Sequence, residues 1–496
     1  MTSGPIPLPM PRVLGALGGT GPGEAARPRF ATAAREALAD TGQRRSLRES
    51  MAVLRGRREA ATAEAADWEE LREAGRAVRD RSLLSLDTHL ETLEGAVTDA
   101  GGTVHWAADA AEARRIVVGL VRATGRSEVI EVRSPVTREI GLDRALAGAG
   151  VDVAETGAAD LAVRLAGERP AHFLLPAVHR DPAEIRRTFL RRMPGAPSDL
   201  TDDPRELADA ARAHLRRRLL SADVAVIGAA FAVAETGTLV MPEGDGGGRM
   251  CLTLPETLIC VLGIEQVVPC WRDMEILLQL LPRSATGERM SPYVSTWTGV
   301  SAQDGPRDLH VVLLDNGRTA ALADEVGRAA LRCIGCAACL SVCPVYERTG
   351  GHAYAAGGSV LSGPIGAIWT PQTRGVRGAA EASLPFASTL CGACGDVCPV
   401  KIDIPGILVH LRGKVVQARR HRPVPPPEMA VMRALAWAMG DRRRYEPALR
   451  QGVRWARLLS RGGRIRRLPG LLGKWTEARD LPAPPRDPFR VRWRER

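Results

Sequence analysis

Four cysteines stand at C-x2-C-x2-C-x3-C-P spacing in CIGCAACLSVCP: Cys333, Cys336, Cys339 and Cys343, followed by Pro344. Thiolates two residues apart on a loop of small residues, here Gly335, Ala337 and Ala338, can wrap three irons of one cubane. The small side chains let backbone N–H groups face the negative charge of such a cluster. In this spacing the fourth cysteine normally ligates a second cluster. A structural zinc site is the rival, but zinc knots rarely carry the Cys-Pro ending.

A second motif, STLCGACGDVCPVKIDIP, holds Cys391, Cys394, Cys398 and Pro399. Aligned on its Cys-Pro end it repeats the first, with Ser388 where the first cysteine would stand. The crossover rule assigns Cys333, Cys336, Cys339 and Cys398 to one cluster, and Cys343, Cys391 and Cys394 to the other. The second set has only three thiolates. It therefore fits a [3Fe–4S] cluster, a [4Fe–4S] cluster with a non-cysteine ligand, or an open iron. Ser388 is a candidate ligand, although a serine near a turn more often caps or faces solvent. Cys251, Cys260 and Cys270 lie in apolar, strand-like sequence without metal spacing and read as core cysteines.

Other residues suggest a ligand site. Glu235 and Thr236 open a polar Glu-Thr-Gly-Thr turn between two apolar runs, at a strand end where α/β sheets bind ligands. A turn or buried structural role competes with that reading. Arg133 and Ser134 follow a strand and precede a helix, a candidate anion site. Gly244–Gly248 reads as a hairpin and not a phosphate loop, because no Lys-Ser/Thr follows. His172 and His179 read as packing or surface residues.

The elements that must position these groups fill 496 residues, too many for one ordinary core. Residues 1–30 are Pro/Gly-rich and expected to be loosely attached. Phe30–Val97 is helical in pattern. Strand-like and helix-like runs then alternate: GTVHWA, AAEARRIVVGLVRATG, SEVIEVRS, TREIGLDRALAGAG, VDVAET, HFLLPA and DPAEIRRTFLRRM. That rhythm predicts an α/β fold with a largely parallel sheet. DVAVIGAAFAVAETGTLVM and Met250–Val261 add buried strands. The expected divisions are 1–65 (an extension, partly disordered then helical), 66–302 (α/β), 312–410 (a helical two-cluster domain) and 411–496 (a basic Pro/Trp-containing region).

Net charge is +11, but aromatics are only 4% and no zinc finger or RNP motif accompanies the charge, which argues against nucleic acid. No apolar run is long enough to span a bilayer, and the N-terminus does not read as a signal peptide. Seven cysteines in two tight clusters point to metal in a reducing, cytoplasmic setting. In the tail, Arg442, Arg443 and Arg444 with Trp437 and Trp455 read in two ways. They form a docking surface for an acidic partner or the inner face of a membrane, or a solvated helix with buried tryptophans. No flavin or nicotinamide fingerprint is present.

The segments VTREIGLDRAL, AETGTLV, LTLPETLICVLGIEQVVP, both cysteine motifs and GKWTEARDLPAPPRDPFR, in that order, resemble the lactate utilization protein B family. The α/β part resembles the LUD domain, which implies a fold like that of sugar-phosphate isomerases and CoA transferases. A ferredoxin-like domain with two [4Fe–4S] clusters would follow it. The resemblance implies the same seven ligands: Cys333, Cys336, Cys339 and Cys398, then Cys343, Cys391 and Cys394. It implies a non-catalytic electron-relay subunit for oxidation of L-lactate to pyruvate, working with a cysteine-rich-motif subunit and a second LUD-domain subunit. A LUD-domain enzyme with structural or redox-sensing clusters, and a relay for another 2-hydroxy acid, are the competing readings. Where the family often has Lys-Ser-Lys-Ser, this chain has Glu131-Val132-Arg133-Ser134, which weakens the case for a shared anion site.

Overall fold

The computed structural model describes residues 27–301, 305–356, 358–420, 427–477, 479–487 and 489–494. The stretch expected to be loosely attached lies outside them as far as residue 26. Four helices lead the described chain: α1 (Phe30–Ala39), α2 (Thr41–Ala63), α3 (Trp68–Leu84) and α4 (Leu86–Asp99). The Asp40 carboxylate starts α2 by accepting the Gln43 N–H at 2.8 Å. One face of α2, through Leu47, Met51 and Leu54, turns into the core.

A six-stranded sheet follows in the order β1 (Thr103–Ala107), β10 (Asp308–Leu314), β7 (Thr257–Gly263), β4 (Val224–Ile227), β2 (Glu128–Val132) and β3 (Asp152–Glu155). Every neighbouring pair is parallel. Both faces are covered, and the two-residue period sorts the side chains. Leu258, Cys260 and Leu262 of β7 join the core on one face, while Ile259 and Val261 join the other. Cys251 and Cys260 are fully buried in the first of these cores.

A smaller sheet, in the order β8 (Val267–Val268), β5 (Phe231–Val233), β6 (Thr238–Glu243) and β9 (Tyr293–Trp297), packs beside it. Two local readings differ from the sequence expectation. HFLLPA forms no strand: the buried His172 Nδ1 accepts the N–H groups of Leu174 and Leu175, each at 3.1 Å, and coils the chain. Gly244–Gly248 is not a hairpin. The Glu243 carboxylate accepts the N–H groups of Gly248 and Arg249 at 2.6 Å, turning the chain into a helix, Gly247–Thr253, where more strand was expected.

Residues 416–496 form a second compact unit. It contains helices Pro427–Met439 and Arg442–Leu458 and a two-stranded ladder of Arg464–Ile465 with Leu481–Pro482. Trp437 and Trp455 are exposed, and the Arg444 guanidinium lies over the Trp437 ring at 4.6 Å. The buried-tryptophan reading of the tail does not hold. Among the described residues no helix is long and apolar enough to cross a membrane.

Candidate metal centre

Both cysteine motifs adopt the same local shape. In the first, Gly335 has φ +72° and Ala337 φ +59°, and a one-turn helix, Ala338–Ser341, carries Cys339. In the second, Gly392 has φ +93° and the one-turn helix Ala393–Asp396 carries Cys394. A non-glycine residue at positive φ is uncommon and marks a loop held by its surroundings. These turns direct backbone N–H groups at sulfur. Gly335 N–H donates to Cys333 Sγ (3.4 Å), Tyr346 N–H to Cys343 Sγ (3.4 Å) and Ile402 N–H to Cys398 Sγ (3.3 Å).

The electrostatic interactions among the seven thiols run in two overlapping sets. Cys398 interacts electrostatically with Cys333, Cys336 and Cys339. Cys394 interacts with Cys343 and Cys391, and Cys343 with Cys391. Cys339 interacts with Cys394 ahead of Cys398, so the two sets adjoin. Cys391 is exposed and Cys333 half-buried, while the other five are buried. Burial pushes the Cys333 and Cys394 thiols up to about 12 and raises Cys336, Cys339, Cys343 and Cys398 as well. Such thiols ionise only when a bound metal draws the proton off. Ser388 Oγ accepts the Leu390 N–H at 3.1 Å, the bond of a turn-forming serine. Among the described residues, no three His, Cys, Asp or Glu side chains are placed around a single metal ion.

The walls of this centre come from outside the motifs. Gly75 of α3 passes so close to helix Trp271–Ala285 that a Cβ there would sit 2.3 Å from Leu280 Cδ1, and 3.7 Å from the Pro399 carbonyl. From the same helix, Arg72 Nη2 donates to the carbonyls of Asp396 and Cys398, both at 2.8 Å. Arg79, fully buried, donates to the carbonyls of Leu331 (2.9 Å), Arg332 (3.3 Å) and Glu265. Burial holds its guanidinium down at about 10, against the raising influence of Glu265 and Cys333. From α2, Arg58 donates to the Val397 carbonyl at 3.1 Å and interacts with Cys336 and Cys398. These arginines were missed in the sequence. The available signal was Arg58 continuing the Leu47, Met51, Leu54 stripe, where a charge would otherwise be desolvated without reward.

The sheet's candidate residues are engaged internally. Arg133 lies at the carboxyl end of β2, paired with Glu155 (2.9 Å), Asp143 (3.4 Å) and Glu131 (4.0 Å). Ser134 caps the six-residue helix Pro135–Ile140 in a reciprocal box with Thr137. Glu235 is exposed at the β5–β6 turn, on the smaller sheet, and its Oε1 accepts the Trp271 N–H at 2.7 Å. Thr236, Thr238 and Thr298 link hydroxyls at 2.7 and 2.6 Å. Gly237, at φ +69°, lets this turn rest on the backbone of α4, 2.9 Å from the Val97 nitrogen by its absent Cβ. His172 and His179 are both buried, and burial together with Arg138 takes His172 down to about 3, which keeps it neutral.

Parallel sheet and paired thiol groups define an iron–sulfur protein built on an α/β domain. Comparison with known families agrees: the LUD domain matches residues 90–314, and the 4Fe-4S dicluster domain, which takes two [4Fe–4S] clusters, matches residues 329–402. Lactate utilization protein B from Oceanobacillus iheyensis is 38% identical over 87% of this chain and 89% of its own. Its namesake from Bacillus subtilis is 36% identical over 88% and 90%, and that from Macrococcus caseolyticus 36% over 93% and 96%. The chain belongs to the lactate utilization protein B family.

Proposed function

We propose that the chain is the iron–sulfur electron-transfer subunit of a multi-protein system that oxidises L-lactate to pyruvate. The observation that carries this reading is the gathering of six of the seven thiols in one core, with Cys391 at its surface, in a chain whose relatives bear the name lactate utilization protein B. We assign Cys333, Cys336, Cys339 and Cys398 to one [4Fe–4S] cluster and Cys343, Cys391 and Cys394 to the other. The fourth position of the second goes to a non-cysteine ligand. The donor set fits: seven thiols, backbone N–H groups aimed at three sulfurs, and turns of small residues.

Bound clusters supply one-electron transfer. The chain's own residues keep the groups adjacent, since Cys343 and Cys398 each cross from their motif to the other set. They also exclude water from five of the seven thiols and leave Cys391 at the surface. Expected partners are a cysteine-rich-motif subunit and a second LUD-domain subunit, in the cytoplasm or at the inner membrane face. Purified alone the chain should not oxidise lactate. Added to its partners, it should restore L-lactate-dependent dye reduction, and a panel of 2-hydroxy acids tests the substrate. Full activity of a complex carrying Cys333→Ser and Cys391→Ser together would reject the relay and move catalysis to the LUD domain.

A further inference from the structure

Two buried guanidinium nitrogens beside the first thiol group have no hydrogen-bond partner among the described residues: Arg58 Nε and Arg79 Nη1. Arginine keeps its charge at any working pH, and a buried donor without an acceptor is costly. Both side chains reach the same place. Arg58 interacts with Cys336 and Cys398, Arg79 with Cys333. Neighbouring N–H groups of the same side chains donate to carbonyls beside those cysteines, Val397 for Arg58 Nη2, and Leu331 and Arg332 for Arg79, which also reaches the Glu265 carbonyl. Arg72 and Arg332 add charge near Cys398. Two carboxylates offset part of this collar: Asp80 pairs with Arg332 and Arg76, and Glu265, paired with Arg318, also interacts with Arg79 and Cys333.

The second thiol group has different neighbours. The leading interactions at Cys343 and Cys394 are with each other, with Cys391, with backbone N–H groups and with Tyr354. The arginines on its side are spent locally: Arg412 gives its bonds to the Pro385 and Ser388 carbonyls, and Arg55 divides Nη1 between the Ser341 carbonyl and Glu347. A cluster that accepts one electron gains one negative charge and no proton, so adjacent fixed positive charge favours its reduced form.

We propose that Arg58 and Arg79 raise the reduction potential of the cluster held by Cys333, Cys336, Cys339 and Cys398 above that of the cluster held by Cys343, Cys391 and Cys394, making the first the electron sink of the pair. This rests on the ligand assignment above. The two helices that carry the arginines lie outside the cysteine motifs, so the potential difference is set by the N-terminal part of the chain.

The test is a redox titration of the full chain, purified without oxygen, with dithionite as electron donor and mediators, read by electron paramagnetic resonance. In the parent protein the signal lost in Cys336→Ser should be the one that reduces first. Arg58→Met and Arg79→Met should each lower its reduced-to-oxidised ratio at fixed poise about tenfold, which is about 59 mV for one electron, and leave the other signal in place. Arg79→Lys, which keeps the charge, should recover most of the shift. Unshifted signals, equal shifts in both, or loss of the first cluster in both variants with the sheet intact by circular dichroism would overturn the tuning role. Failure of the ligand assignment reads out separately, as a parent protein in which Cys336→Ser and Cys394→Ser remove the same signal.

Discussion

Arg318 is a fully committed buried charge, and replacing it by methionine should be among the most destabilising single changes. It follows β10, at the carboxyl edge of the large sheet, and its side chain is 2% exposed. Nη2 and Nη1 donate to the two Glu139 oxygens at 2.9 and 3.0 Å, Nε donates to Glu265, and the guanidinium lies 5.3 Å from the Trp369 ring. Glu139 and Glu265 are 9% and 6% exposed. Burial alone would depress the Arg318 guanidinium, but the two carboxylates outweigh it and push it up. Arg318→Met fills similar space but leaves two desolvated carboxylates without their cation. Breaking a buried pair in that way costs about 3–5 kcal/mol, roughly a thousandfold in the unfolding equilibrium. Urea unfolding of the cluster-loaded protein, followed by tryptophan fluorescence and visible absorbance, should show both transitions moving together, because Arg318 joins the sheet to the cysteine region through Trp369. Combining it with Glu139→Gln and Glu265→Gln should recover more than half of the loss, since neutral amides replace the stranded charges. A single variant within about 1 kcal/mol of the parent would refute the reasoning.

Glu155 gives a pH signature. Burial, opposed by Arg133 and Arg164, raises it to about 7 from an ordinary 4.5. Between those values the folded state holds more protons than the unfolded one, so stability from this group is complete below pH 4.5 and falls as pH rises through 7, by about 3 kcal/mol at most. Glu155→Gln should flatten that slope in thermal unfolding from pH 5 to 8 and gain stability at pH 8; an unchanged slope would count against it. Ser388→Ala should leave both paramagnetic signals unchanged and cost under about 1 kcal/mol, because the hydroxyl serves a turn. Loss of one cluster's signal would make Ser388 a ligand.

The parts of this protein that could be read without coordinates are those in which chemistry or packing dictates spacing. A cubane needs thiolates at short fixed offsets, so the cysteine motifs announce themselves. A sheet buried on both faces needs unbroken apolar runs, so β4 and β7 stand out as strands, while β10 lies beyond the division expected for the α/β part. Where one side chain decides the local path, pattern reading fails. Glu243 turns a glycine run into a helix start, and His172 replaces a strand by a coil; both act through bonds to backbone N–H groups that leave no period in the sequence.

The arginines of α2 and α3 fall in the same class, with a larger consequence. Thr41–Ala63 is rich in charge and would pass for a solvated helix, yet Leu47 and Met51 share a core with Cys336, Cys339, Cys343 and Cys398. Arg58 lies seven residues beyond Met51, on the same face, so the helix cannot bury its apolar stripe without bringing that guanidinium toward the thiols. Arg72 and Arg79, also seven apart, repeat the arrangement on α3, where Val78 and Gly75 set the depth of contact. Hydrophobic packing places the charges, and the charges set the electrostatic environment of the metal centre. Two chains with identical cysteine spacing can therefore hold their clusters in different fields, according to what stands at the positions of Arg58 and Arg79.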